Sequence, residues 1–256
     1  MRNELRVFFT AVMFYTRIPC PSWVDHSEDY LNKATRYFPL VGWMIGLMAA
    51  STLYACHFIF PPSISVLLAL SVSVLMTGAF HEDGFADVCD GFGGGWTSER
   101  ILDIMKDSRV GAYGVIGTIL LFSFKIFALT SLLEIGVIYC IKSIILAHVG
   151  SRFTAVMIMR SHEYAREDAS SKVKPLAKQL SNTDFIICLL WLLPALFIFQ
   201  HYAILLVMIP LYLLKRYLSS YFQKWIGGYT GDCLGATQQL AFVVILLYCL
   251  GQWKFI

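Results

Sequence analysis

Long apolar segments constrain the fold of this chain more than any other feature of its sequence. A helix needs about 20 mostly apolar residues to cross the hydrocarbon core of a bilayer. Charged residues make up only 14% of the 256 positions, whereas a soluble domain carries about 25%. Seven segments predict membrane-spanning helices: residues 38–56, 63–80, 110–130, 137–158, 184–200, 202–218 and 235–253. We therefore predict an all-α fold, a polytopic membrane helix bundle that forms one integral membrane domain over residues 1–256.

The N-terminal segment, up to about residue 18, mixes charged and apolar residues. Its charged residues are Arg2, Glu4, Arg6 and Arg17. Because of them, the segment lacks the uncharged core and the small-residue cleavage site that a signal peptide requires. We expect an uncleaved amphipathic helix that lies on the membrane surface.

Net charge and cysteine usage exclude several other classes of protein. The net charge of +3 is too small to indicate binding to nucleic acid. The seven cysteines form no C-x-x-C pair, and most lie in apolar stretches, where free cysteine behaves as a small hydrophobic residue. The sequence therefore indicates neither a disulfide framework nor a zinc site.

The distribution of positive charge predicts the orientation of the bundle. Seventeen of the 20 Lys and Arg residues fall in or beside four segments, residues 1–37, 81–109, 159–183 and 219–234. Cytoplasmic loops of membrane proteins carry an excess of Lys and Arg. We therefore predict that the N-terminus and these segments face the cytoplasm and that the C-terminus lies outside.

An acidic, glycine-rich segment, residues 81–114, directly follows the second predicted span. On a helix, three of its aspartates fall within an arc of about 60°: Asp83, Asp87 and Asp90. Asp103 and Asp107 again stand four residues apart. Like charges at this spacing repel each other, and a hard cation such as Mg²⁺, Mn²⁺ or Ca²⁺ relieves the repulsion. A metal site is predicted here, with a solvated acidic loop as the alternative.

Glycines interleave these aspartates, and basic residues follow them. Glycines let a backbone approach phosphate closely and expose its N–H groups; they are Gly84, Gly91, Gly93, Gly94 and Gly95. Lys106 and Arg109 supply positive charge beside Asp107. Carboxylates that bind metal, glycines and basic residues together indicate phosphoryl transfer. Residues 81–114 are therefore predicted to be a cytoplasmic active-site segment.

Two other polar features lie near predicted cytoplasmic ends of spans. Thr230 and Asp232, in the segment GGYTGD, either belong to the site or form a glycine turn at the start of the next helix. Ser151 and Arg152, with Arg160 and Arg166, either bind nucleotide phosphates or only reflect the inward excess of arginine.

Lys125 lies inside a predicted span, where an ionisable residue is a functional candidate. The simpler interpretation is that its amine extends toward the outer membrane surface.

Five ordered blocks, which together run across nearly the whole chain, carry a family resemblance. They are FYTRIP at 14–19, RYFPLVGWMIG at 36–46, TGAFHEDGFADVCDGFGGG at 77–95, IMKDSRVGAYG at 104–114 and GGYTGDCLGA at 227–236. In these blocks the sequence resembles the bacterial cobalamin synthase family, also called the adenosylcobinamide-GDP ribazoletransferases. One departure is Glu82, where that family usually has an apolar residue; it either adds a metal ligand or faces water.

The resemblance implies a specific reaction. The 5′-hydroxyl of α-ribazole, or of its 5′-phosphate, attacks the cobinamide-side phosphorus of adenosylcobinamide-GDP. GMP leaves, and the nucleotide loop of cobalamin is complete. The implied cofactor is Mg²⁺.

The resemblance also implies roles for individual residues. The metal ligands and catalytic carboxylates are Asp83, Asp87, Asp90 and Asp107. His81 either accepts the proton of the attacking hydroxyl or is only a helix-end residue. The implied substrate-binding residues are Lys106, Arg109, Gly91, Ser151, Arg152, Thr230 and Asp232.

The implied location is the bacterial cytoplasmic (inner) membrane, crossed several times, with the N-terminus and the active site in the cytoplasm. Membrane lipid surrounds the protein, no nucleic acid is bound, and homo-oligomers or association with other enzymes of the cobalamin pathway stay open.

Two other functions compete with this interpretation. The pattern D-G-x-x-A-D-x-x-D-G also partly resembles the CDP-alcohol phosphotransferases, which make lipids; Asp87 stands where those enzymes have arginine. A transporter would use the aspartates as a binding site, but its ionisable residues are expected near the bilayer midplane. Most ionisable residues here fall in predicted cytoplasmic segments, which favours an enzyme.

Overall fold

A computed structural model describes residues 2–24, 28–165 and 180–252, in which helices are joined by short loops. Its helices are α1 (Arg2–Tyr15), α2 (Glu28–Ala34), α3 (Phe38–Cys56), α4 (Pro62–Thr77), α5 (Phe80–Gly94), α6 (Ser98–Ile104), α7 (Ala112–Ile135), α8 (Val137–Ser161), α9 (Asn182–Phe197), α10 (Met208–Ile226) and α11 (Gly231–Gln252). Two 3₁₀ turns, Thr35–Tyr37 and Tyr202–Val207, precede α3 and α10. The described ranges contain no β-strand, which confirms the predicted all-α class.

Five helical runs are long and apolar enough to cross a membrane: Asp29–Cys56, Ala112–Ile135, Val137–Ser161, Tyr202–Ile226 and Gly231–Gln252. Helices α4 and α5 count as a sixth span only if the two are taken together. Helix α9 is apolar but has only 16 residues. A multi-pass helical membrane protein is therefore confirmed, whereas the predicted number of seven spans is not.

The predicted N-terminal amphipathic helix is present as α1. Its apolar side is buried against the bundle, where Tyr15 stacks on Phe38 with ring centroids 4.0 Å apart. Its polar side carries Glu4, whose carboxylate lies 2.7 Å from the guanidinium of Arg36. Helix α1 thus packs on the N-terminal end of α3.

Helix α8 is the central helix of the bundle. Its residues are buried without a break from Ser143 to Val156. Glycines on α3 allow the closest packing against it, because a Cβ built on Gly42 would lie 2.6 Å from the carbonyl oxygen of His148. Small residues at such contacts let the backbones of membrane helices approach each other.

A sharp bend between α4 and α5 positions the acidic helix. Gly78 and Ala79 both have left-handed backbone conformations, with φ of 64° and 59°, and the two helices meet at 89°. Helix α5 then runs antiparallel to the first half of α7. Asp90 of α5 lies against Gly114 of α7, and Cys89, the residue before it, lies against Gly117, about one turn further along α7. Helix α5 therefore begins deep in the bundle, beside the middle of α7.

Candidate active site

Helix α5 carries three of the predicted carboxylates on one helix, as the sequence pattern indicated. Their exposure decreases along it: Asp83 is exposed, Asp87 is half-buried and Asp90 is only 8% exposed. Their placement within an arc of about 60° follows from the helical repeat. Asp83 and Asp87 therefore present an acidic surface, while Asp90 turns toward protein.

The carboxylate of Asp90 binds the N-terminus of α7. One oxygen accepts a hydrogen bond from the backbone N–H of Gly111 at 2.7 Å, and the other accepts one from Gly114 at 2.8 Å. The first turn of a helix has N–H groups without partners in the helix, and a carboxylate there is favoured by the helix dipole. Asp90 thus caps a helix that begins 22 residues later in the chain.

Sequence reasoning missed this capping role, although a signal for it exists. The segment GAYG at the start of α7 offers no Ser, Thr, Asp or Asn at the cap position. A helix start without its own cap requires a partner from another part of the chain.

Asp107 lies in the loop between α6 and α7 and pairs with Arg109. The guanidinium donates to both carboxylate oxygens, with the shortest contact, from Nη2 to Oδ2, at 2.6 Å. This hydrogen bonding lowers the pKa of Asp107 from its ordinary 3.8 to about 2. The predicted helical pairing of Asp103 with Asp107 is wrong, because α6 ends at Ile104. Lys106 lies in the same loop with its side chain exposed.

The glycines of α5 lie against protein. A Cβ built on Gly91 would lie 2.5 Å from Cγ of Met105, and one built on Gly93 would lie 2.6 Å from the ring of Tyr113. These glycines therefore let α6 and α7 approach α5 closely. Gly91 was predicted to let the backbone approach a phosphate, but in the structure the side chain of Met105 occupies the space beside it.

Gly84 brings the start of α11 beside the acidic surface. A Cβ at this position would lie only 3.0 Å from Cα of Asp232, so the two backbones touch. Asp232 is half-buried in the first turn of α11, next to the turn of α5 that carries Asp83 and Asp87. The hydroxyl of Thr230 accepts a hydrogen bond from the N–H of Cys233 at 3.3 Å and thereby caps α11. The glycine turn and the proximity to the site are both present.

Ser151 and Arg152 lie in the buried middle part of α8. Both are at most 1% exposed, and Arg152 donates to the carbonyl oxygen of His148 at 2.9 Å. Arg160, at the end of α8, hydrogen-bonds Asn182 at 2.9 Å. Arg166 lies outside the described residues. The structure therefore separates Arg152 from the inward-facing arginines with which the sequence grouped it.

A buried polar cluster surrounds Arg152 and was not predicted as a unit. It lines a cavity of about 10 Å³, which has room for about one water molecule. Its polar and charged members are Ser73, Thr77, His81, Glu82, Lys125, His148, Arg152, Gln238 and Gln239. The adjacent glutamines inside a predicted span were the sequence signal for it, because amide side chains are costly to bury in lipid.

Lys125 and Glu82 meet inside this cluster. Lys125 is 3% exposed, and its amine hydrogen-bonds the side-chain oxygen of Gln239 and lies 3.8 Å from the Glu82 carboxylate. The expectation that Lys125 extends to the outer surface is wrong, because its amine pairs in the interior. Glu82 likewise faces the bundle rather than water.

His81 lies in the first turn of α5 and packs into the same cluster. It is 2% exposed, its ring stacks near Phe38, and its Nε2 has no hydrogen-bond partner among the described residues. Two residues along a helix correspond to about 200°, so His81 and Asp83 lie on opposite sides of α5. The structure therefore does not bring His81 to the exposed acidic surface.

The donors of this site fit a magnesium ion in part. Within the described residues, no three acidic, histidine or cysteine side chains converge as a metal-binding group. Asp90 and Asp107 are engaged by backbone amides and by Arg109. Asp83 and Asp87 place two carboxylates one turn apart on the acidic surface, and Mg²⁺ is often held by one or two carboxylates together with substrate phosphates.

Comparison with known proteins identifies the family. The family described as cobalamin-5-phosphate synthase matches residues 7–250. The chain belongs to this family. An adenosylcobinamide-GDP ribazoletransferase of Shewanella frigidimarina is 44% identical over 97% of this chain and 95% of its own. The protein of that name from Shewanella amazonensis is 43% identical over 99% of this chain and 98% of its own. No solved structure matches the chain.

Membership of the cobalamin-5-phosphate synthase family makes this chain an enzyme of cobalamin biosynthesis that acts in nucleotide-loop assembly. The match covers the acidic helix α5, the loop that carries Asp107 and the start of α11. The alternatives of a lipid-forming phosphotransferase and of a transporter are therefore set aside.

Proposed function

We propose that this enzyme joins adenosylcobinamide-GDP to α-ribazole or to its 5′-phosphate. The ribazole 5′-oxygen forms a bond to the cobinamide-side phosphorus, the bond from that phosphorus to the oxygen bridging to GMP breaks, and the hydroxyl proton is released. The names of the relatives and the family match support this reaction. It completes the nucleotide loop of the corrinoid.

The contact between Gly84 and Asp232 is the observation that carries the location of the site. It brings Asp83 and Asp87 of α5 close to the start of α11, where the helix dipole favours an anion. Asp83 and Asp87 would hold Mg²⁺, with Asp232 next to them. Lys106 and Arg109, both exposed in the following loop, would bind phosphate oxygens.

Bound Mg²⁺ would neutralise charge that develops on the phosphate oxygens during transfer. The chain contributes by holding the carboxylates and basic groups in place, since positioning supplies most of the catalysis in phosphoryl transfer. Asp90 contributes indirectly, because its bonds to Gly111 and Gly114 fix α5 against α7. The burial of His81 argues against a role for it as the acceptor of the hydroxyl proton.

Direct displacement at phosphorus follows from the side chains near the acidic surface. A covalent intermediate requires a nucleophile paired with a base. The nearest candidate, Ser108, is exposed between Asp107 and Arg109, which bind each other. A single displacement inverts the configuration at phosphorus. A substrate made chiral at that atom should therefore give inverted product, and retention would contradict the mechanism.

The proposed location is the bacterial inner membrane with the site facing the cytoplasm. The excess of Lys and Arg in residues 1–37 and 81–109 supports this orientation.

A nucleotide-release assay with purified protein tests the proposal. Incubation with adenosylcobinamide-GDP, α-ribazole and Mg²⁺ should release GMP in equal amount to the corrinoid product. Omission of α-ribazole should abolish release. Release of GMP without α-ribazole would indicate hydrolysis, and failure to release it with all components would contradict the proposed reaction.

A further inference from the structure

Glu82 and Lys125 form an ion pair inside the bundle that ties α5 to α7. Their side chains are 12% and 4% exposed, and the carboxylate and amine lie 3.8 Å apart. Gln239 of α11 joins them, because its side-chain oxygen accepts from Lys125 and its side-chain nitrogen donates to Glu82 at 2.8 Å. These three side chains therefore connect α5, α7 and α11 at the buried end of α5.

The network continues to the central helix. Gln239 also donates to the side-chain oxygen of Gln238 at 2.8 Å, and Gln238 donates to the hydroxyl of Ser151 on α8 at 2.9 Å. Burying a charge without a partner is much more costly than burying a hydrogen-bonded pair. Helix α5 therefore cannot slide or rotate by one residue without leaving Glu82 and Lys125 unpaired in the interior.

Asp90 fixes the other end of the same helix. Its carboxylate holds the N–H groups of Gly111 and Gly114 at the start of α7. Asp83 and Asp87 lie between the two fixed points. Because Glu82 directly precedes Asp83 in α5, a shift of the backbone at the ion pair also moves the Asp83 carboxylate.

We propose that Glu82 is a positioning residue for the transfer reaction. Its pairing with Lys125 and Gln239 sets the axial and rotational position of α5, and so the position of Asp83 and Asp87 relative to Asp232. This role rests on the proposed function, in which those two carboxylates hold Mg²⁺. Glu82 acts from the buried side of α5 and does not touch the substrate.

A double-mutant cycle tests this role with Glu82→Leu, Lys125→Met and the double variant. Each single variant leaves one buried charge unpaired, whereas the double variant removes both. Lys142→Met is the matched control, because Lys142 also lies in a predicted span, on α8, but is only half-buried and lies outside the polar cluster. Three quantities are measured: kcat for GMP release, the affinity for Mn²⁺ and the unfolding temperature. Mn²⁺ binding is detected as a loss of the paramagnetic resonance signal of the free ion.

Each single variant should lower kcat by about 10-fold or more and weaken Mn²⁺ binding by about 3-fold or more. The double variant should lose no more than the worse single variant, because the pair that positions α5 is already broken in each single variant. Lys142→Met should match the wild type. A merely structural pair would lower the unfolding temperature but leave kcat and Mn²⁺ affinity of the folded protein unchanged, and that result would overturn the proposal. A double variant that recovers wild-type kcat and Mn²⁺ affinity would also overturn it, because the losses in the single variants would then come from an unpaired buried charge and not from a displaced α5.

Glu82→Gln keeps the test decisive if the single variants do not fold. It retains an acceptor for Gln239 and removes only the charge. Wild-type kcat and Mn²⁺ affinity in this variant would overturn the proposal, and a loss of both would support it. If the wild type released no GMP, the proposed function would fail, and the Mn²⁺ cycle would still decide whether Glu82 positions the carboxylates.

Discussion

At the scale of single residues, the aspartates of α5 differ in what surrounds them. Asp83 is exposed to solvent, whereas Asp90 is buried and accepts two backbone hydrogen bonds. A carboxylate that accepts N–H groups at a helix start stabilises that helix. The same residue type at a regular spacing therefore divides into an exposed candidate ligand and a buried cap.

Substitution by asparagine should separate these two roles. Asp90→Asn loses one of its two acceptor oxygens, so we expect a loss of about 1–2 kcal/mol in unfolding free energy. Asp83→Asn should leave stability within about 0.5 kcal/mol, because surface changes usually do, and should abolish Mg²⁺-dependent turnover. Unfolding in detergent and GMP release measure the two effects. Equal stability losses in both variants would contradict the distinction.

The pair formed by Asp107 and Arg109 predicts a specific pH dependence. The pKa of Asp107 in the folded protein is about 2, below its ordinary 3.8. A lowered carboxyl pKa means that the contribution of the pair is fully present above pH 3.8 and is lost as the pH falls through about 2.

Infrared titration of the carboxyl band, with Asp107→Asn as the reference, should therefore show protonation of this residue only near pH 2. A midpoint near pH 4 would show that Arg109 does not hold the carboxylate in solution.

At the scale of elements, glycines decide how closely helices approach the acidic helix. Gly84 faces the backbone of α11, Gly91 faces Met105, and Gly94 faces only open space and the side chain of Ile104 at 3.5 Å. The first two admit a neighbouring element that a side chain would displace. Gly94 imposes no such requirement.

The contact at Gly84 predicts different outcomes for two identical substitutions in α5. Gly84→Ala should destabilise the protein by about 1–3 kcal/mol, because the new Cβ meets backbone that cannot rotate away. Gly94→Ala is the control and should be neutral or stabilising by up to about 1 kcal/mol, since alanine favours helix over glycine. Unfolding in detergent and GMP release measure both variants. A stable, fully active Gly84→Ala protein would show that α11 does not pack as described.

At the scale of the whole molecule, a multi-pass bundle encloses a buried cluster of charged and polar side chains. In the sequence, Lys125 was interpreted as an isolated cation inside a span, and Arg152 was counted with the positive charge on the cytoplasmic side. In the structure, both side chains are buried. The orientation argument therefore rests on the exposed basic residues, such as Arg100, Lys106 and Arg109.

Chemical labelling tests the proposed orientation in sealed cells. In a background without cysteine, Ser63→Cys before the bend should react with a membrane-impermeant reagent from outside, whereas Gly94→Cys should not. Both positions are exposed on the protein, and a Cβ at Gly94 makes only an ordinary contact. Both should react after the cells are opened. Labelling of Gly94→Cys in sealed cells would contradict a cytoplasmic site.

Local features determined what the sequence by itself predicted. The apolar content and helical spacing that predict a helix lie within a few turns of chain, so the all-α class, the amphipathic α1 and the helix through Asp83, Asp87 and Asp90 followed from the residues alone. The ordered motifs likewise indicated the family, and the family match over residues 7–250 confirms it.

Tertiary packing decided the rest, because it joins residues that are distant in the chain. No local pattern shows that α4 ends at two left-handed residues and turns by 89°, which is why the number of spans was not confirmed. The cap of α7 by Asp90 and the pairing of Lys125 with Glu82 depend on the antiparallel contact of α5 with α7. A side chain's role follows from its neighbours, and only the folded bundle determines which neighbours it has.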